Sequence, residues 1–425
     1  MDLQEKIIKI SKTNTIKHFS ITSIGTMVNG FLGLLFFVFL ARFLGPDIYG
    51  IFSITIASMA LLSDVADLGV DTGIIHFVSK YRQQNQENAL KFIKLGLEIK
   101  FIVWLVILVL GWLIAPFIAQ SLFLKPELTV PLRFALIGVG GALFYSLSIH
   151  AVQAYEKFWA WSFLNVGLNG LRLLAVVLIF FIGILDFSSS IIIYIALSFL
   201  GFFVTFFILP NYLASKNERS VSSELFHYSK WVALVGIFAA TSSRLDTFIS
   251  ARFLPMNQVG IYSAVNQLSI VVPQIVFALA TVVAPKMASF DSHEKAIAYF
   301  KKLQFLVLGI FILGVLISPL AFIIIPLIYG NNYVAGVIPF IILFIGQLIF
   351  LLALPSHQAI FFYFSKPSFF SVLSGIQLII AGVLGWFLIL NYGIYGAAFT
   401  VLISNLFGFI VPFIWVMIKF KKKVS

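Results

Sequence analysis

The chain has 425 residues, of which 61% are hydrophobic and 10% charged, with a formal net charge of +12. Soluble domains carry roughly 45–50% apolar and about 25% charged residues, so the composition excludes an ordinary soluble enzyme or binding module. There is no cysteine, which excludes disulfides, iron–sulfur clusters and thiolate metal sites.

A helix crosses a bilayer with about 20 mainly apolar residues. Twelve such runs are predicted, near 20–42, 48–70, 96–121, 129–154, 158–183, 188–210, 229–252, 258–283, 303–328, 334–362, 367–390 and 394–418. A polar segment, 1–19, precedes them, and a basic tail, 419–425, follows. The first run is too long for a signal-peptide core and leads directly into another span, so it is read as a retained helix. It places Thr22, Thr26 and Asn29 on one face. The second run carries Asp64, Asp67 and Asp71 at i, i+3 and i+7, the spacing of a single helical stripe. The third begins with Glu98 and Lys100. Along the fifth, Ser162, Asn165, Asn169 and Arg172 share a face, with Arg172 near mid-membrane. The connection 211–228 follows the sixth run. The seventh run bears Ser243, Arg244 and Asp246, and the eighth Asn266, Gln267 and Gln274. The connection 284–302 is long enough for a short surface helix.

The chain repeats itself 210 residues on. Ala41-Arg42-Phe43-Leu44-Gly45-Pro46-Asp47-Ile48-Tyr49-Gly50-Ile51-Phe52-Ser53 returns as Ala251-Arg252-Phe253-Leu254-Pro255-Met256-Asn257-Gln258-Val259-Gly260-Ile261-Tyr262-Ser263, with seven of thirteen positions identical. Duplicated halves in a membrane protein usually form two lobes around a central pathway. Positive charges give the orientation. With the N-terminus inside, 21 lysines and arginines fall on inner segments, and only Arg42, Lys125, Arg133 and Arg252 on outer ones. Both termini are then cytoplasmic, and two six-helix halves, 20–210 and 229–418, run parallel. The net charge reads as topology plus attraction to an anionic leaflet, so nucleic acid is not expected as a partner.

No motif of metalloprotease, serine hydrolase, P-loop or Asp-rich metal chemistry is present. The six histidines show no metal-ligand spacing, and neither catalytic residue, metal nor cofactor is expected. The chemistry therefore rests on polar groups at membrane depth, where a charge costs about 2.5–3.5 kcal/mol and usually faces a wet cavity or a partner. Candidate sites for an anionic group are Arg172, Arg244 and Lys100. Asp64, Asp67, Asp246, Asn29, Asn165, Asn169, Asn266, Gln267 and Gln274 are the candidate polar groups of such a lumen, for cargo contact or ion coupling. Structural readings compete: Asp71 as a helix end, Lys100 as a snorkelling or ion-paired residue, Arg42 and Arg252 as helix-end anchors, the amides as interhelical glue. The depth charges also differ between halves, since the 210-residue offset sets Leu34 opposite Arg244 and Gln274 opposite Asp64. Such divergence suits an asymmetric cargo.

The segment Ala41–Gly50 followed by Asp67-Leu68-Gly69, and Asp246 followed by Ala251-Arg252-Phe253-Leu254 and Val259-Gly260-Ile261-Tyr262-Ser263-Ala264, resemble the signatures of the polysaccharide-transport flippases. These belong to the multidrug/oligosaccharidyl-lipid/polysaccharide (MOP) exporter superfamily. The resemblance implies an all-α integral membrane protein of twelve spans, two six-helix bundles set in a V and rocking between inward- and outward-open states. It implies a polyprenyl-pyrophosphate-linked oligosaccharide as cargo, moved to the outer leaflet of the cytoplasmic membrane for O-antigen, capsule or related glycan. Partners would be that lipid-linked sugar, the phospholipid bilayer and other polysaccharide-assembly membrane proteins. Lumenal cations for the headgroup would map to Arg172 and Arg244, with Lys100 a weaker candidate for its depth. Two departures narrow the resemblance. Residues 20–41 hold no charge where lipid II flippases have arginines, and Asp246 in the seventh run keeps cation-coupled drug export as the alternative.

Overall fold

The computed structural model describes residues 14–216 and 218–422, so the expected inner charges Lys6, Lys9, Lys12 and Lys423 lie outside the described residues. The described chain is helical and contains no strand. In order, the helices are α1 (Asn14–Ala66), α2 (Val70–Tyr81), α3 (Gln86–Phe117), α4 (Thr129–Ala154), α5 (Phe158–Ile182), α6 (Phe187–Thr205), α7 (Arg219–Ser242), α8 (Leu245–Phe253), α9 (Met256–Ser269), α10 (Val271–Ala288), α11 (His293–Ile317), α12 (Ala321–Tyr329), α13 (Val337–Gln358) and α14 (Ser368–Lys422).

Among the described residues, nine helical stretches are long and apolar enough to cross a membrane, or ten if the bent pair α7 and α8 forms one span. The twelve predicted runs and these stretches differ in how breaks are counted. The first and last stretches are 46 and 54 residues long, more than twice the length a bilayer requires. Each is interrupted at a glycine, Gly45 with φ 76° and Gly393 with φ 60°. At the first break Pro46 supplies a helix-compatible φ and needs no N–H partner, so the chain stops and restarts within one residue. The segment 284–302 holds no separate surface helix: α10 runs to Ala288 and α11 begins at His293.

The helices pack as two compact units. The first comprises residues up to Leu40 together with Ile51–Ala240; the second comprises Ala41–Gly50 and the chain from Thr241 onward. The expected inter-lobe connection, 211–228, therefore packs entirely with the first unit, along with most of α7. It is held there by polar contacts: Lys91 Nζ donates to Glu218 at 2.6 Å, Lys94 to the Ser215 carbonyl at 2.6 Å, and Ser229 Oγ to the Gly69 carbonyl at 3.1 Å.

In the first unit the span carrying α4 is mostly buried and forms the central post, packed by α3 and α6. Below it a core of Ile74, Phe77, Phe92, Ile93, Leu147 and Leu225 joins α2, α3, α4 and α7, with the Phe77 and Phe92 rings stacked at 4.5 Å. The span carrying α13 is the buried post of the second unit. Within that unit Ala41–Gly50 is tied to the end of α12, where Arg42 Nη1 donates to the Leu327 and Ile328 carbonyls at 2.6 and 3.0 Å. Tyr333 donates its hydroxyl to the Ala41 carbonyl at 2.5 Å. Arg42 thus acts as the expected structural anchor, satisfying helix-end carbonyls.

Candidate functional site

The expected stripe Asp64–Asp67–Asp71 does not exist as one helical face. α1 ends at Ala66, and the chain turns through Leu68 and Gly69, both left-handed with φ 52° and 74°. Glycine adopts that region without strain, and its presence allows the helix to end here. The turn leaves Asp64 exposed on α1 and throws Asp67 and Asp71 together around Lys100, which is fully buried on α3. Lys100 Nζ lies 2.8 Å from Asp67 Oδ1 and 2.5 Å from Asp71 Oδ1, and also donates to the Leu143 carbonyl at 3.3 Å. The other Asp71 oxygen accepts from Ser146 Oγ at 2.5 Å and lies 3.4 Å from His150 Nδ1. All three ammonium hydrogens of Lys100 are engaged and its charge is matched by carboxylates. The geometry corrects the expectation for Lys100: it is a packing ion of the first unit, with no donor left for a headgroup.

Arg172 is different. It sits past the middle of α5 and is 8% exposed. Its guanidinium carbon stands 3.9 Å from the centre of the Tyr194 ring on α6. Nη1 donates to Asn169 Oδ1 at 3.0 Å; Nη2 donates to Ser198 Oγ at 2.7 Å and to the Tyr194 carbonyl at 3.4 Å. Asn169 in turn donates to Asn29 Oδ1 on α1 at 2.7 Å. One turn earlier, Asn165 accepts from the Tyr145 hydroxyl at 3.4 Å and donates to the Trp161 carbonyl at 2.9 Å. These contacts solvate the cation, and the ring face adds about 0.5–2 kcal/mol. None of them neutralises it. Among the described residues no carboxylate pairs with Arg172, and its buried Nε finds no acceptor. The charge of Arg172 is thus left without a counter-ion among the described residues.

The structure therefore brings Asn29, Asn169 and Arg172 into one chain of hydrogen bonds, while Asn165, one turn earlier on the same helix, bonds Tyr145 and the Trp161 carbonyl instead. Sequence reading missed the other half of that chain. Tyr194 and Ser198 lie one turn apart on α6, an i, i+4 polar pair in its apolar middle, and that spacing was the available signal. Ser146 and His150 on α4 have the same spacing and serve Asp71.

In the second unit, Asp246 opens α8 and accepts from the Tyr262 hydroxyl on α9 and from Thr247 Oγ1, the latter at 3.4 Å. Regular helix is interrupted between Ser242 and Leu245, so Arg244 stands at the N-cap position of α8 with φ −129° and ψ 3°, and its Nη1 donates to Ser243 Oγ at 3.2 Å. Asn266 accepts from Ser269 at 2.8 Å through its carbonyl. Gln267 is half-buried and Gln274 exposed.

A family model described as a polysaccharide biosynthesis protein matches residues 15–291. The chain belongs to that family. No curated protein sequence matches it. Among solved structures, it is similar to the lipid II flippase MurJ in an inward closed conformation, at 16% identity and TM-score 0.74, covering 95% of this chain and 89% of that one. A multidrug resistance MATE family transporter of the MOP superfamily, inward-facing, matches at 15% identity and TM-score 0.71, covering 97% and 100%. The Vibrio cholerae MATE transporter VcmN in its bent form matches at 15% and 0.54, covering 95% and 96%. At these identities the likeness establishes the fold. The family match and the apolar spans together make this a multi-pass membrane protein of the polysaccharide biosynthesis family.

Proposed function

We propose that this member of the polysaccharide biosynthesis family is a flippase that carries a polyprenyl-pyrophosphate-linked oligosaccharide from the inner to the outer leaflet of the cytoplasmic membrane. The product feeds surface glycan assembly of the O-antigen or capsule kind. The observation that carries the reading is Arg172, a buried cation with no acidic partner among the described residues, set beside a ladder of amides. A pyrophosphate matches the fork of an arginine, and Asn29, Asn165 and Asn169 offer donors and acceptors to sugar hydroxyls. Arg244, in the second unit, is assigned as a further cation for an anionic group, and Asp64, Asp246, Asn266, Gln267 and Gln274 to sugar contacts or coupling. Asp67 joins Lys100 in a structural role. With α7 and α8 taken as one span, counting the breaks at Gly45 and Gly393 as turns gives twelve crossings, with both termini on the side that holds most of the lysines. Transport proceeds by alternating access, the polyprenyl tail remaining in lipid. Other polysaccharide-assembly membrane proteins would take up the product on the far side.

The test is to inactivate the gene in its host and assay lipid-linked oligosaccharide with a membrane-impermeant probe. Complete oligosaccharide trapped on the inner face is the expected result. Normal surface glycan with no accumulation, together with loss of efflux of cationic amphiphiles, would replace the reading with drug export.

A further inference from the structure

The two halves of α14 lie side by side after the break at Gly393, and at the end far from that break a pocket of about 370 Å³ opens between them. Its walls are Phe369, Val372, Leu373 and Ile376 from the first half and Val411 and Trp415 from the second. The mouth is basic: Lys366 lines it, and Lys419 stands over the Trp415 ring at 5.5 Å. Trp415 is fixed in place, its ring 5.5 Å from Phe369 and 5.3 Å from Phe364. A tryptophan and a lysine at a helix end are common membrane-interface anchors. Here they border a cleft about two helical turns deep that is polar only at its rim, a shape that fits an amphiphile with an anionic head. Neither lysine has a carboxylate partner among the described residues.

We propose that this pocket binds one anionic phospholipid of the leaflet at that end, its phosphate held between Lys366 and Lys419 and one acyl chain laid along Phe369, Val372 and Ile376. Charge complementarity names the occupant: a zwitterionic lipid gains little from two cations, whereas each lysine at a membrane surface favours an anionic head about fivefold. The site belongs to the second unit alone and is separate from Arg172, so it stands whatever the transported cargo is.

The experiment is native mass spectrometry of the full-length protein in detergent, titrated in parallel with dioleoyl phosphatidylglycerol and dioleoyl phosphatidylcholine. A single phosphatidylglycerol adduct should form at least fivefold more tightly than phosphatidylcholine. Lys366→Gln should weaken it about fivefold, and Lys366→Gln with Lys419→Gln about 25-fold. Val372→Trp, which fills the slot and leaves both lysines, should abolish the preference without changing the unfolding temperature of this lipid-exposed helix. Equal retention of the two lipids would overturn the proposal, as would an adduct unaffected by the lysine and Val372 variants. Displacement by farnesyl pyrophosphate with no phosphatidylglycerol adduct would also overturn it, making the pocket a site for the carrier lipid.

Discussion

Gly50 and Gly260, the same position in the two copies of the repeated motif, back directly onto each other. A Cβ on Gly260 would stand 2.8 Å from the Gly50 nitrogen and collide with the Pro46 carbonyl oxygen; one on Gly50 would stand 3.1 Å from the Gly260 nitrogen and collide with that of Met256. Both glycines lie in the second unit, where Ala41–Gly50 packs against α9. The glycine that a sequence comparison sees as a conserved half of a repeat is a backbone-to-backbone crossing, the close approach that only a residue without a side chain permits.

Alanine at either glycine must therefore push two backbones apart. Gly50→Ala and Gly260→Ala should each lower stability by about 1–3 kcal/mol or more, the range for overpacking a site that cannot relax. Gly45 has open space around it but φ 76° and ψ 166°, a region essentially confined to glycine, so Gly45→Ala should cost about 1–3 kcal/mol through backbone strain alone. Thermal unfolding in detergent measures each cost. Alanine at Gly50 or Gly260 that leaves the unfolding temperature unchanged would contradict the crossing.

Lys100 sits between two carboxylates with no exposure to solvent. Removing one partner of a buried ion cluster leaves uncompensated charge and costs about 3–5 kcal/mol. Lys100→Met should produce that loss, visible as a large drop in unfolding temperature and expression. Lys100→Met combined with Asp67→Asn and Asp71→Asn should recover most of it, because no net charge then remains buried. A headgroup-binding lysine would behave otherwise: the single variant would fold normally and fail in transport.

The connection 206–218 is latched to the first unit through charges at the water boundary. The hydrogen bond from Lys91 beside it holds the Glu218 carboxyl below the usual carboxylate range. A carboxyl with a depressed pKa in the folded state contributes its stabilisation above the ordinary carboxylate range and loses it as pH falls through the lowered value. The chain has no cysteine, so a spin label at Leu213→Cys reports on this segment alone. Its mobility should be low at pH 7, rise as pH falls below the ordinary carboxylate range, and be high throughout in Glu218→Gln; high salt should act in the same direction. An immobile label in Glu218→Gln at pH 7 would show that the carbonyl contacts of Lys94 and Lys157 hold the segment unaided.

Much of this was legible in the sequence, for reasons that differ by residue. Hydrophobic runs are long-range signals, so the spans stand close to where composition puts them. The pairing of Asn169 with Arg172 survives because α5 is regular from Phe158 to Ile182 and helical spacing holds along it. The acidic stripe fails because Leu68 and Gly69 turn left-handed, and one such turn voids every spacing argument drawn across it. Arg244 and Asp246 escape the same logic, since the helix lapses between Ser242 and Leu245. Tyr194, Ser198 and His150 contribute from other helices, and one-dimensional spacing carries no information about which helix packs against which.

Arg172 is the residue on which the transport reading stands, and stability and transport should separate there. A charge without a counter-ion in an apolar bundle is a burden to folding, so Arg172→Met should leave the unfolding temperature unchanged or raise it. Transport should fall about 10- to 100-fold, the effect of losing a hydrogen bond to a charged group. Arg172→Lys keeps the charge but loses the planar fork and the stacking on Tyr194 and should fall between the two. Tyr194→Leu removes the ring under the guanidinium while Asn169 and Ser198 still hold its nitrogens, so it should weaken transport less than Arg172→Lys. These variants are read in the leaflet assay and in thermal unfolding on the same preparations. If Arg172→Met loses transport only in proportion to lost folded protein, the arginine is a helix-packing residue and the anion must be bound elsewhere.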